Sequence, residues 1–340
     1  KRGPVCIDCH ESHRIISPEI TAFKQYSDQK CGQCHEEMLV RYGETFHGKA
    51  MELGSVEVAS CYDCHGYHNV YKTSDPRSLI HEENRVETCQ KCHEGANANF
   101  AGYITHADYY DSENNPQLYY AFVFMTVLFV SVFLFFGFHT FLWVIRSIAL
   151  FVRDSKTFLE AKVKVEKDEL IFVRFSPLER FLHVLLILSF TTLVITGIPL
   201  KFFYAGWAQV LMNMVGGVGN AGYMHRSAAF VLTVVFLIHI FSLLKNFIPR
   251  IKTFKNEKTG RFSFAKLIKY FFRPDSLMPQ KRDIKDFWDH QKWFFGKGKK
   301  PQFERWTYWE KFDYFAVFWG VLIIGLSGLV LWFPEYFTIF

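Results

Sequence analysis

From Leu118 to Ile145 the chain runs through 28 residues without an Asp, Glu, Lys or Arg, long enough to cross a bilayer with some tilt. Three further apolar runs follow, at Phe181–Leu200, about Met224–Leu244 and Tyr314–Phe333, with Arg226 the one charge among them. A single run of this kind fits a buried helix of a large soluble protein. Four in succession predict an all-α transmembrane helical bundle. Residues 246–312 hold no such run but are dense in aromatics and lysines, Phe264, Phe271, Phe287, Trp288 and Trp293 among them. That mixture predicts an amphipathic layer at the membrane surface. Trp306, Tyr308 and Trp309, just before the last run, sit where an aromatic belt belongs. The polar first third shows neither period and predicts a mostly irregular segment of short helices.

Charge divides the chain at the same place. Residues 1–117 carry 11 Lys/Arg against 18 Asp/Glu, a net of −7, and residues 118–340 carry 28 against 15, a net of +13. The connecting segments differ as sharply: residues 146–180 hold eight Lys/Arg, residues 245–312 hold eighteen, and residues 201–223 hold only Lys201. The positive-inside rule puts the first two in the cytoplasm and the third outside, which leaves the acidic N-terminal segment outside as well. Lys297-Gly-Lys-Lys300 beside a membrane helix reads as a lipid-headgroup contact, and nucleic acid is not an expected partner.

All eight cysteines fall in four copies of Cys-x-x-Cys-His: Cys6/Cys9/His10, Cys31/Cys34/His35, Cys61/Cys64/His65 and Cys89/Cys92/His93. In a c-type haem site two thioethers hold the porphyrin and the adjacent His binds the iron. Four Cys-x-x-Cys pairs could also build two zinc sites, but zinc gives no reason for a His after every second Cys. The reading is a haem-packed tetrahaem cytochrome c segment. Covalent haem attachment takes place outside the bacterial cytoplasm, in agreement with the charge argument. Because the chain opens at Lys1 without Met, a removed export signal is expected, and upstream sequence is expected to be missing.

The segment repeats with a period of about 55 residues. The odd motifs continue as Asp-Cys-His-x-x-His, giving His13 and His68, and each even motif is followed by another His, His47 or His106. Four haems thus have four spare histidines, expected as distal iron ligands; His81 has no counterpart in the repeat and stands as the alternative. Spacing alone does not say which His serves which haem. With so little polypeptide per haem, the porphyrins themselves must form the core.

Four more histidines, His139, His183, His225 and His239, lie in the apolar runs, where an ionisable residue points to function. His225 and His239 are 14 residues apart, close to one helix face and roughly 21 Å apart along its axis. That spacing suits two stacked b haems, one near each membrane surface. His183, His239 and His139 fall near the inner surface and His225 near the outer. His225 then needs a partner from outside residues 118–340, on a further C-terminal helix or a partner subunit. The expected b-haem ligands are His183, His225 and His239, with His139 the alternative.

Arg174-Phe-Ser-Pro-Leu-Glu-Arg180-Phe-Leu-His183, followed by Thr196-Gly197, resembles the first helix of the dihaem cytochrome b subunits of formate dehydrogenases and hydrogenases. Ala221-Gly222-Tyr-Met-His225-Arg226 resembles the start of their second helix, and Lys311-Phe-Asp-Tyr314 the entry to their third. With the multihaem segment ahead of it, the chain is similar to inner-membrane cytochrome c–cytochrome b fusions of anaerobic respiratory bacteria. The resemblance implies His183 on the inner haem, His225 on the outer, and a fourth helix supplying both partners. That helix is absent here, so truncation at the C-terminus is expected, and the helix bearing His139 lies outside the family pattern.

The domain expectation is therefore a periplasmic tetrahaem domain at 1–117, a transmembrane helix at 118–146, a cytoplasmic linker at 147–175 and a cytochrome b-like membrane domain at 176–340. The functional expectation is a quinone-linked oxidoreductase component carrying four covalent haems c and one or two haems b. Menaquinol would be oxidised and electrons passed to periplasmic cytochromes or other redox subunits. The alternatives are quinone reduction within a dehydrogenase or hydrogenase complex, a catalytic multihaem reductase, and a passive membrane anchor. A reductase needs an open iron position, against which the count of four spare histidines argues. No catalytic residue is singled out.

Overall fold

The computed structural model describes residues 3–13, 15–17, 19–156, 175–255, 260–303 and 305–337. Most of the expected linker, and Arg174, lie outside the described residues. Among the described residues there is no strand, only an isolated bridge between Lys255 and Phe262.

Among the described residues seven short helices make the N-terminal segment: α1 (Cys6–His10), α2 (Thr21–Gly32), α3 (Glu36–Gly43), α4 (Phe46–Glu52), α5 (Cys61–His65), α6 (Arg85–Gln90) and α7 (Ala98–Ala101). The two kinds of motif fold differently. Each odd motif is a one-turn helix of its own, which takes in both cysteines, Cys6 and Cys9 or Cys61 and Cys64. The Asp inside the motif caps it. Asp8 Oδ2 accepts from Val5 N at 2.8 Å, and Asp63 Oδ2 accepts from Ser60 N at 2.8 Å. An acceptor in the first turn satisfies an otherwise unpaired helical N–H. The even motifs instead close longer helices, with Cys31 in the last turn of α2 and Cys89 in the last turn of α6. Their second cysteines, Cys34 and Cys92, fall in a turn beyond the helix end. There Cys34 N donates to Cys31 O and Cys92 N to Cys89 O, each at 3.2 Å. α2 also grips the third motif: Asp28 Oδ1 accepts from Cys61 N at 2.8 Å, and Lys24 pairs with Asp63 at 3.0 Å. The first repeat thereby sets the position of the second.

The membrane part contains α8 (Pro116–Arg153), α9 (Pro177–Lys201), α10 (Gly206–Met214), α11 (Gly217–Phe247), α12 (Phe264–Phe271), α13 (Lys281–Phe294), α14 (Tyr308–Trp332) and α15 (Pro334–Phe337). α8, α9, α11 and α14 are long and apolar enough to span a bilayer. They outrun the apolar runs that announce them. α8 continues past Arg146, since Arg is a good helix former and a chain entering water need not stop its helix there. α11 starts seven residues before Met224, through Gly217 and Gly219, so His225 lies inside the helix and not at its first turn. α10 sits in the segment expected only as an outer connection.

By packing, the chain forms two units: Lys1–Tyr119 with Phe181–Val235 and Gly325–Phe340, and Tyr120–Arg180 with Phe236–Ile324. In the first, Leu53 at the end of α4 buries against Ala208, Met212 and Ala221, with Leu200, Phe203, Val215 and Val218 around them. In the second, Asp283 caps α13 through Gln280 N at 2.6 Å and receives both Lys311 bonds, at 2.8 and 3.0 Å. Lys311 is 2 % exposed, so this pair ties α13 to α14 away from water, and removing either partner would strand a buried charge.

Candidate haem-binding site

Six of the histidines expected at iron come together as three pairs. The ring centroids of His10 and His68 are 6.3 Å apart, those of His47 and His93 6.2 Å, and those of His65 and His106 6.3 Å. Two imidazoles bonded to opposite faces of one metal, each at about 2 Å, have ring centres about 6 Å apart. A stacking contact would be nearer and more parallel, yet two of the pairs are tilted by 50° and 46°. Each pair joins one motif His to one spare His. Two of the pairs also cross the repeat, because His10 meets His68 and His93 meets His47, whereas His65 and His106 belong to the same unit. Among the described residues neither His13 nor His35 belongs to such a ring pair. His81 is half-buried, its Nδ1 accepting from Glu83 N at 3.4 Å.

The polypeptide does not enclose all of the motif cysteines. Cys61, Cys64 and Cys89 are half-buried, but Cys6, Cys9, Cys31, Cys34 and Cys92 are exposed. For Cys34 and Cys92 the reason is local. The turn that carries each of them ends its helix at the surface of the segment, so the polypeptide supplies no cover for the second thiol of an even motif. Cys64, the matching cysteine of the third motif, lies within α5, and burial pushes its thiol up to about 11. The polypeptide therefore leaves Cys34 and Cys92 uncovered and covers Cys64 in part.

Local structure explains the placement of the histidines. Thr45 caps α4, accepting from Gly48 N at 3.1 Å while its hydroxyl donates to Tyr42 O at 2.7 Å. This folds α4 back onto α3 and presents His47. The approach is close: a Cβ on Gly48 would overlap the Tyr42 carbonyl oxygen. After the odd motifs the chain turns through positive φ, at Gly66 (78°) and at Glu11 (59°). Glu11 holds this Gly-type conformation with its carboxylate accepting from Tyr26 Oη and from Lys30 at 3.1 Å. Burial lowers the pKa of His47, His65 and His106, helped by His93 beside His47, His106 beside His65, and Arg41 beside His106. Neutral imidazole, the form that binds iron, is thereby favoured.

The fourth motif lies against α15. Asn97, just after it, donates to Glu335 O at 2.9 Å, and a Cβ on Gly95 would lie 3.3 Å from the Glu335 side chain. α4, which carries His47, seats Leu53 against α10 and sets Lys49 over the Phe203 ring at 5.6 Å.

In the membrane helices each histidine meets a hydroxyl or stands open. His225 Nδ1 is 2.8 Å from Thr196 Oγ1, whose own proton goes to Thr192 O at 2.7 Å. The Thr oxygen must therefore accept from Nδ1–H, which leaves the lone pair on His225 Nε2, the tautomer a metal requires. Gly197 packs beside the ring, where a Cβ would be in ordinary contact with His225 Cε1 at 3.4 Å. Of the Thr196-Gly197 pair, Thr196 is the residue that orients the ring. His183 is exposed. His239 Nε2 lies 3.0 Å from Tyr314 Oη. His139 Nε2 lies 2.5 Å from Tyr308 Oη, which is also 3.0 Å from His290 Nδ1.

Sequence reasoning passed over His290. It lies in the charged helix Lys281–Phe294, away from every motif. The signal that could have found it is the spacing Phe287, His290, Trp293, Phe294, which puts it on the apolar face. It is 1 % exposed, and burial, with His139 and Lys300 nearby, lowers its pKa to about 4.

Residues 174–340 match the family of prokaryotic cytochrome b561, and residues 1–39 match the doubled CXXCH motif. No curated protein and no solved structure matches the chain.

Proposed function

We propose that this c-type/b-type cytochrome fusion, a membrane-bound protein of haem-mediated electron transfer, oxidises menaquinol at the inner membrane of a bacterium and passes the electrons to periplasmic redox partners. The observation that carries the reading is the set of three facing histidine pairs at 6.2–6.3 Å. On this reading His10 with His68, His65 with His106, and His93 with His47 would hold three c-type irons. By elimination His13 serves the iron of His35, with His81 the alternative. When bound, the haems supply reversible one-electron steps at iron. With each iron closed by two imidazoles there is no position for a substrate, which favours transfer over reductase chemistry.

The chain's own contacts order the route. The motif ending in His93 is tied to Glu335, and its partner His47 lies on the helix seated against α10. We assign that iron as the exchange point with the membrane part. His225, held by Thr196 in the metal-binding tautomer, is the proposed outer b-haem ligand. His183, open at its helix surface, and His239, which must exchange its Tyr314 bond for iron, are the proposed inner ones. The net −7 of the haem segment suits a basic periplasmic acceptor.

Magnetic circular dichroism of the His68→Ala, His47→Ala and His106→Ala variants tests the assignment. Each is expected to convert one low-spin haem to high spin with all covalent haem retained. A wild-type chain with a native high-spin c haem, or a His81→Ala variant that gains one while His13→Ala does not, would reassign the ligands.

A further inference from the structure

In the second unit, α8, α13 and α14 bring three titratable side chains into one line. The Tyr308 hydroxyl lies between His139 Nε2, at 2.5 Å, and His290 Nδ1, at 3.0 Å. A phenol has one proton, so it donates to one ring and accepts from the other, and the line has a direction from end to end. Both histidines are enclosed, at 9 % and 1 % exposure. Rings of Trp293, Phe294, Phe303 and Trp309 surround His290 at centroid distances of 4.3–5.5 Å. Among them its Nε2 is buried without a hydrogen-bond partner.

A purely structural role does not account for this. One histidine would satisfy the Tyr308 proton, and the second brings an unpaired buried nitrogen that an aromatic side chain in its place would avoid. Iron ligation does not account for it either. The His139 and His290 rings are 5.5 Å apart and cross at 72°, closer than the facing pairs of the haem segment and with a phenol bonded to both.

We infer that His290, Tyr308 and His139 form a proton relay for quinol oxidation, entered at His290 Nε2. The inference rests on the quinone reading above. Oxidation of a quinol to a quinone breaks two O–H bonds, sends two electrons singly to haem iron and releases two protons. A quinol hydroxyl that reaches Nε2, which is closed off among the four rings in this structure, gives its proton to that nitrogen. His290 passes its Nδ1 proton to the Tyr308 oxygen, and Tyr308 passes its own to His139 Nε2. His139 then loses its Nδ1 proton to water. Tyr308 ends neutral, both rings end as the opposite tautomer, and tautomer exchange resets the line for the second proton. Of the charged groups on these elements, Asp286 on α13 bears on Tyr308, Lys300 after α13 bears on His290, and Arg146 on α8 lies over the Trp293 ring, while Asp283 pairs with Lys311 and Glu310 with Thr307.

The test is stopped-flow reduction of the full chain in liposomes, with a short-tailed menaquinol and with dithionite, in H₂O and D₂O. Tyr308→Phe removes one oxygen and leaves the shape. It is expected to slow quinol-driven haem reduction on the order of 10²-fold and to change the solvent isotope effect and pH profile, while dithionite reduction and haem spectra stay as in wild type. His290→Gln, which keeps a hydrogen-bonding group but cannot shuttle, should do the same and covers the case in which Tyr308→Phe fails to fold. If both variants react with quinol at the wild-type rate and isotope effect, the relay is wrong while the quinone reading stands. If the wild type is reduced by dithionite and not by quinol, the quinone reading falls and takes the relay with it.

Discussion

The histidines of the haem segment face one another, whereas those of the membrane helices face hydroxyls. In the first region three pairs stand at 6.2–6.3 Å, although only Ala50, Met51, Leu53, Ala96 and Ala101 are its buried apolar residues among those described. In the second, His225, His239 and His139 bond to Thr196, Tyr314 and Tyr308. The difference follows from how each region keeps its cofactor. Thioethers would tether a c-type porphyrin beside its motif His, so the fold need bring only a second imidazole to a set point. It does so with short capped helices such as α4 and α5. A b-type haem has no covalent tether, so the imidazoles and the packing of helices must hold it. Orienting a single ring, as Thr196 orients His225, is what one helix pair can contribute.

The sharpest way to break this comparison is extraction with acid–acetone. Four haem masses are expected to remain on the polypeptide, and every b-type haem to leave in the solvent. The reading is checked by intact mass and by a pyridine haemochrome assay of both fractions. A smaller increment would remove the covalent side of the contrast.

Losing one ligand should separate the regions almost as clearly. His68→Ala is expected to leave its haem attached but five-coordinate, whereas His225→Ala is expected to lose the outer b haem altogether. Haem-to-protein ratios and reduced-minus-oxidised spectra of the purified variants decide it. Retention of full b-haem content in His225→Ala would overturn its assignment as a ligand.

Much of this was legible before any coordinates. Cys-x-x-Cys-His is a local motif, so its four copies could be read directly, and repeat offsets brought out His47, His68 and His106. Four identical spellings did not reveal that Cys64 lies inside a helix while Cys34 and Cys92 lie in exposed turns, because that depends on the helix running into each motif. Pairing could not be read either, because it depends on how α2 of one repeat grips α5 of the next through Asp28 and Lys24. Apolar runs located the four spanning helices but not their ends, since hydropathy reports contact with lipid and a helix such as α8 continues into water. α10 and His290 were missed for a related reason. α10 is apolar but, at 9 residues, too short to register as a spanning run, and His290 lies in a charged helix where only its position on one face marks it.

Two glycines next to histidines offer a finer contrast. On Gly48 a Cβ would overlap a backbone carbonyl, which cannot move without separating α4 from α3. Gly48→Ala is expected to cost about 1–3 kcal/mol and to raise the high-spin signal by displacing His47. On Gly197 the Cβ would only come within 3.4 Å of the His225 ring edge. Gly197→Ala should cost about 1 kcal/mol or less, with a small shift of the b-haem band. Denaturation midpoints and spectra of the two variants give the order, and the reverse order would show that the membrane site is the tighter one.

The smallest expected effect concerns acid. In the haem segment, iron bound as proposed would occupy the nitrogens of the buried histidines, so His47, His65 and His106 should not take up protons until ligation fails. His290 carries no proposed metal, and its folded pKa of about 4 lies below its ordinary value of 6.5. Between those values the unfolded chain binds more protons at this residue than the folded one. Stability therefore falls as pH drops from about 6.5 toward about 4, and levels off below that, where both states are protonated. His290→Gln removes the term. Thermal melts should show the wild type losing on the order of a few °C more than the variant between neutral pH and pH 4.5, with the c-haem bands unchanged over the same range. Parallel acid limbs would mean that His290 is protonated equally in both states, and that burial does not hold its ring neutral.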